Sequence, residues 1–250
     1  MVSATPAPPD LQYYCRQWPV LYEDNHLLAL YKPAGLLVQG DASGSDCLLD
    51  LGKRYLKTRY QKPGRVFLGL VHRLDRPVAG VVVFARTSKA AARLSEQFRS
   101  TQVEKHYLAV VHGHLKQDSG RWVDPLLREE LTMRVLASPR QDTREARLRY
   151  QVVATQSDLS LVEIILETGR RHQIRTQFAH RGHALLGDGR YGSPTRLPHG
   201  QIALLARTIG FRHPVRPELL LVEAPLPRGW PWPGTTTDAS NPPWCWESGT

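Results

Sequence analysis

The residue types best suited to chemistry are concentrated in the run His72-Arg73-Leu74-Asp75-Arg76-Pro77, where one carboxylate sits between two guanidiniums. Flanking cations favour an ionised acid, so Asp75 is expected to act as a nucleophile or base near neutral pH. The same spacing also fits a strand-end aspartate that caps a turn and pairs with Arg73 or Arg76. A second run, Thr168-Gly169-Arg170-Arg171-His172-Gln173-Ile174-Arg175, crowds three arginines and a histidine into the start of a predicted helix. Cations there oppose the helix dipole, so the placement asks for an anionic partner. Arg171 and Arg175, one turn apart, would share a face, one suited to a phosphate and the other to a buried carboxylate. An exposed basic helix is the plainer alternative. In Lys105-His106-Tyr107-Leu108 a tyrosine stands beside basic residues, as a stacking platform for a nucleobase or as an ordinary core residue.

These residues need rigid supports, and the apolar pattern supplies them. Leu27 to Gly35 reads as a strand entering a turn. Arg65 to Asp75 and Gly80 to Arg86 read as two strands joined at Arg76 and Pro77. Residues 88–100 carry Ala90, Leu94 and Phe98 at helical spacing behind a Thr87 or Ser88 cap. His106 to Gly113 is a strand, and 148–155 with 159–168 form an antiparallel hairpin. Residues 170–182 are predicted to be a helix with Ile174 and Phe178 inward and Gly182 at its C-terminal cap. Residues 201–211 and 219–226 add two strands. The class is therefore α+β with a mostly antiparallel sheet, without internal repeats.

The 250 residues suffice for a large buried core, and 41% hydrophobic content excludes a disordered chain. The net charge is +10, with 26 Arg against 7 Lys. Arginine's planar fork suits phosphates, carboxylates and base edges, so the composition points to a polyanion, most simply nucleic acid. Cys15, Cys47 and Cys245 match neither a disulfide framework nor a zinc spacing, which fits a reduced compartment. Neither a secretory signal nor a membrane span is visible, so a cytoplasmic protein is expected. Residues 1–19 read as an N-terminal extension, 20–228 as the body, and 229–250 as a Pro/Trp-rich tail, either packed on the body or exposed. Trp230, Trp232, Trp244 and Trp246 would make a free tail sticky.

The run from His72 to Arg76, followed by Gly80 and an apolar stretch, resembles the HRLD signature of the RluA-type pseudouridine synthases. Five further segments resemble the family's other signatures, in the family's order: Lys32-Pro33-Ala34-Gly35, Lys105-His106-Tyr107-Leu108-Ala109, Gly169-Arg170 with His172-Gln173-Ile174-Arg175, Gly187-Asp188 with Tyr191-Gly192, and Ala224-Pro225-Leu226. The chain departs from the family at Gln177 and Leu205, where a histidine is frequent, and at Val78 and Ala79, where small hydroxyl residues are common.

The resemblance implies a pseudouridine synthase fold, with helices flanking the sheet and a central RNA-binding cleft. It implies isomerisation of uridine in structured RNA, ribosomal or transfer, without cofactor or metal. Asp75 would be the essential carboxylate, attacking C1′ or C6 or removing a proton from C2′. Arg175 would pair with it, and Tyr107 would stack on the uracil. Arg73 would fill the space left by the extruded base. His72, Arg76, Lys105, Arg170, Arg171, His172 and Gln173 would contact RNA. The implied enzyme is a monomer with no obligate protein partner and no S4 domain, so the catalytic domain itself would grip the RNA. Two rival readings are a metal hydrolase using His112 with His114 or His180 with His183, for which a third ligand is missing, and a non-catalytic RNA-binding or ribosome-associated protein. A carboxylate in a basic cleft argues against the latter, because it would repel phosphate.

Overall fold

The computed structural model describes residues 20–41, 44, 46–227 and 229–232; the expected N-terminal extension, Cys15, Cys245, Trp244 and Trp246 lie outside the described residues. The described strands are β1 (Val20–Glu23), β2 (Leu27–Lys32), β3 (Gly69–Leu70), β4 (Ala79–Ala85), β5 (Glu104–His112), β6 (Ser119–Arg128), β7 (Met133–Val135), β8 (Thr143–Gln156), β9 (Leu159–Leu166), β10 (Leu204–Arg212) and β11 (Leu219–Glu223). They form one sheet in the order β1-β2-β4-β10-β5-β9-β8-β6-β7, with β3 against β4 and β11 against β10. Among the described residues the β4–β10 pair is parallel and every other pair is antiparallel. The architecture is the expected α+β class with a mixed, mostly antiparallel sheet.

Three helices cover this sheet: α1 (Leu48–Arg59), α2 (Ser88–Arg99) and α3 (Gln173–His180). Every residue of β2 is buried, as a strand covered on both faces requires. Its Leu28 and Leu30 join Val82, Phe84 and the α1 side chains Leu48, Leu51 and Tyr55. Leu27, Ala29 and Tyr31 point the other way, toward Ala90 and Leu94 of α2. Thr87 starts α2 as foreseen, its hydroxyl accepting the Ala90 N–H at 3.2 Å. On the other half of the sheet, α3 presses Ile174 and Phe178 onto Leu148, Tyr150, Val162 and Ile164. The opposite face there is polar, with Arg121, Arg147 and Arg149 gathered around Glu167.

The two halves meet where Ala79 and Gly80 lie beside Leu205 and Ala206. Gly80 has φ +130°, and a Cβ there would stand 2.3 Å from the Ala206 carbonyl oxygen, so glycine is required at this seam.

Three sequence expectations need correction. Arg65 to Asp75 is not a strand: only Gly69–Leu70 pair with β4, because the His72 ring takes over as acceptor for Val83 N–H and the chain turns away. The helix expected from Arg170 begins at Gln173, because His172 adopts the left-handed backbone conformation (φ 50°, ψ 22°). Arg170 and Arg171 therefore precede the helix, and Arg171 shares no helix face with Arg175. Finally, Trp230 and Trp232 pack into the core with Val222 and Ala224, so the body continues past 228. Gly182 does follow the end of α3, with φ +83° and its N–H donating to Ala179.

Candidate active site

Asp75 stands in a tight turn, its carbonyl accepting the Val78 N–H at 3.1 Å. That turn is held from below by the segment after β2. Gly35 N–H donates to the Arg76 carbonyl at 2.8 Å, and Arg76 Nε returns a bond to the Gly35 carbonyl at 2.9 Å. Lys32 is fully buried, and its Nζ donates to the carbonyls of Pro33, Leu36 and Arg76 at 2.9, 2.8 and 3.1 Å. A buried ammonium with three carbonyl partners fixes both loops at once. Burial pushes Lys32 down to about 7, against the pull of Asp75. His72 completes the support from the other side, stacked on Phe98 at 4.7 Å. Burial, reinforced by Lys105, pushes its imidazole down to about 3, so it remains a neutral acceptor for Val83.

Arg175 reaches this turn from α3. Its Nη1 lies 3.3 Å from Asp75 Oδ2, while Nε and Nη2 grip Asp188 at 2.6 and 2.8 Å. The two-pronged pair with Asp188 is buried, and the guanidinium also lies 4.9 Å over the Tyr191 ring. Asp188 thus fixes Arg175, and Arg175 presents one nitrogen to Asp75. His172 approaches the same carboxylate, with Nε2 3.5 Å from Oδ2. Burial pushes His172 down to about 4 against the pull of Asp75, with Arg175, Arg171 and Arg190 adding to the shift. It is therefore a neutral N–H facing a carboxylate rather than an ion pair.

These groups open onto a cleft of about 1300 Å³ lined by Gly35, His72 to Pro77, Lys105, Tyr107, Gly169 to His172, Arg175 and Arg190. Tyr107 rises from β5, between Ile164 and Ala206 of the neighbouring strands. Burial, and then the charge of Asp75, raise its phenol, which stays protonated at neutral pH. Lys105 is lowered by burial and by Arg170.

The distribution of charge is informative. Away from the cleft several arginines are paired: Arg121, Arg147 and Arg149 with Glu167, Arg59 and Arg86 with Glu23, Arg216 with Asp24. Around the cleft, Arg73, Arg76, Lys105, Arg170, Arg171 and Arg190 have no carboxylate partner among the described residues. Arg170 bonds the Glu145 carbonyl, and both Arg171 and Arg190 bond that of Leu131. Six cations without a carboxylate partner among the described residues thus line the cleft that holds Asp75.

Of the residues singled out from sequence, Asp75, Tyr107 and Arg175 converge, with Arg73, Arg76, Lys105, Arg170 and Arg171 around them. Gln173, expected to contact RNA, is held by protein groups instead. It is buried, accepting the Thr168 hydroxyl and Arg170 N–H and donating to the Arg147 carbonyl, so it staples the loop before α3. His72 and His172 line the cleft, yet their rings are engaged by protein groups. Lys32, Asp188 and Tyr191 received no role from the sequence, although each lies in a motif that was noticed. Arg175 is 13 residues from Asp188 in another element, a pairing that linear spacing does not reveal. No group of three or more His, Cys, Asp or Glu among the described residues could hold a metal ion. His112 bonds Ser193, and His183 bonds the His112 carbonyl.

The family model for RNA pseudouridylate synthase matches residues 26–180. An uncharacterized RNA pseudouridine synthase of Bacillus subtilis is 35% identical over 210 residues, 83% of this chain and 68% of its own. A ribosomal large subunit pseudouridine synthase D of Xanthomonas campestris is 37% identical over 221 residues, covering 83% and 66%. The chain spans about two thirds of the length of these relatives. Among solved structures, human RNA pseudouridylate synthase domain containing 4 superposes with a TM-score of 0.73 at 25% identity, covering 88% of this chain and 92% of that one. Sequence and fold together place this chain in the RluA family of RNA pseudouridine synthases.

Proposed function

We propose that the chain isomerises uridine to pseudouridine in structured RNA, with Asp75 as the essential carboxylate. The observation that carries this reading is a carboxylate tethered by a buried arginine in a cleft lined by Arg73, Arg76, Lys105, Arg170, Arg171 and Arg190. A binding protein gains nothing from that acid, whereas breaking and remaking a glycosidic bond needs it. In the reaction the C1′–N1 bond breaks and a C1′–C5 bond forms. The C5 hydrogen leaves to solvent, and N1 gains a proton. Tyr107 supplies a flat, protonated surface for the uracil, and Arg73, exposed at the rim without a described partner, takes the space vacated in the stack. Arg76, Lys105, Arg170, Arg171 and Arg190 grip phosphates. Ribosomal RNA is the first substrate to test, since relatives are named for the ribosomal large subunit.

The test is tritium release from RNA labelled at uracil C5, alongside mapping of pseudouridines in cells with and without the gene. Asp75→Asn should lose roughly a thousandfold or more in turnover while binding RNA within about threefold of wild type. Tritium release by Asp75→Asn at the wild-type rate refutes the assignment.

A further inference from the structure

Two donors address one oxygen of Asp75. Arg175 Nη1 lies 3.3 Å and His172 Nε2 3.5 Å from Oδ2, and no donor among the described residues reaches Oδ1. The far side of the imidazole is also fixed. His172 Nδ1 is 2.8 Å from the Tyr191 hydroxyl, which accepts the Met133 N–H at 2.8 Å. The Tyr191 hydroxyl keeps a proton that Nδ1 can accept, and in that tautomer the imidazole proton sits on Nε2, facing Asp75.

The backbone adds an independent observation. His172 holds φ 50° and ψ 22°, a left-handed conformation that glycine takes without strain and a histidine does not. What the position gains from histidine is therefore the ring. The ring is 8% exposed and both of its nitrogens face protein groups, so it offers RNA no free donor or acceptor.

We infer that His172 is a positioning residue for Asp75: locked by Tyr191, it presents a neutral Nε2–H to Oδ2 and, together with Arg175, leaves Oδ1 for the substrate. The inference rests on the reading of Asp75 as the essential carboxylate. The charged and titratable groups facing the ring are Asp75, Arg171, Arg175, Arg190 and Tyr191, and the three cations disfavour a protonated imidazole. Substrate desolvates the cleft, so the 3.5 Å contact shortens to a hydrogen bond as the reaction proceeds.

His172→Gly tests this in the full chain, because it relaxes the backbone and deletes only the ring. The substrate is total RNA from cells lacking the gene, labelled with tritium at uracil C5, with single-turnover tritium release and filter binding as readouts. We expect the rate to fall roughly 30-fold or more, with RNA affinity within about threefold of wild type and partial restoration by added imidazole. A rate within about threefold of wild type, or an affinity that falls in proportion to the rate, overturns the inference. If His172→Gly does not fold, Tyr191→Phe decides, since it keeps the packing and removes the hydroxyl that aims the ring. A loss of about tenfold supports the inference, and a rate within about twofold overturns it. Asp75→Asn runs beside them. Full activity there topples the carboxylate assignment, whereas inactive Asp75→Asn beside fast His172→Gly topples only this inference.

Discussion

Replacing Asp188 by alanine deletes both strong bonds to the Arg175 guanidinium, at 2.6 and 2.8 Å, in a pair whose side chains are 1% and 5% exposed. The cation keeps its 3.3 Å contact to Asp75 and its place over the Tyr191 ring, but no buried carboxylate partner. Breaking a buried pair by removing one partner costs about 3–5 kcal/mol, because the remaining charge is stranded. With about 2–4 °C per kcal/mol for a chain of this size, Tm should fall by roughly 6–20 °C. Asp75→Ala is the informative contrast. Its carboxylate is about one-third exposed and its removal leaves the Arg175–Asp188 pair whole, so Tm should stay within about 3 °C. Both variants should lose turnover, one by misplacing Arg175 and the other by removing the acid. Thermal unfolding followed by circular dichroism, with tritium release on the same samples, separates the two. A Tm loss below about 4 °C for Asp188→Ala, or an equal loss for Asp75→Ala, would show that Asp188 is not what anchors Arg175.

Gly80→Ala drives a Cβ against the Ala206 backbone and should cost about 3 kcal/mol or more, visible as a lower urea midpoint; an unchanged midpoint would contradict the close approach. Acid should destabilise the fold through its neutral histidines. His72 and His172 are held down to about 3 and 4, so between those values and about 6.5 the unfolded chain binds protons that the folded one refuses, and stability falls as pH drops. Between pH 7 and pH 5 urea unfolding should therefore show falling stability, and His72→Gln should weaken that dependence; equal pH slopes in wild type and variant would contradict it. At the cleft rim, Arg171→Ala and Arg190→Ala should each lower the slope of log binding constant against log salt by about 0.7, and unchanged slopes would place these side chains off the RNA path.

Much of the body was legible because β2, β4, β5, β9 and β10 carry apolar runs, because part of β8 alternates buried and exposed residues, and because α2 has a capping threonine and regular spacing. The helix α1 was overlooked although Leu48, Leu51, Tyr55 and Leu56 lie on one buried face. The strand β6 was hidden by Pro125 in its middle, a residue that argues against a strand. At the site, the sequence brought out acid and arginines as separate runs. It did not reveal that Arg175 serves two aspartates, that a buried lysine ties Pro33 to Arg76, or that His172 bends the backbone before α3. Each of these depends on contacts between distant segments, which local pattern does not encode.

The seam at Gly80 has a consequence for the nascent chain. Asp75 and Arg175 are 100 residues apart, and the half of the sheet bearing the acid joins the other half through β10. At about 5–20 residues per second, β10 follows β4 from the ribosome after roughly 6–25 s. During that interval the start of β4, at Ala79 and Gly80, lacks its partner on one edge and invites chaperones or aggregation. A truncated product ending before β10 exposes that edge and leaves the acid-bearing half without its union to the half that supplies Arg175. Emergence of β10 and acquisition of a working cleft are therefore nearly the same event.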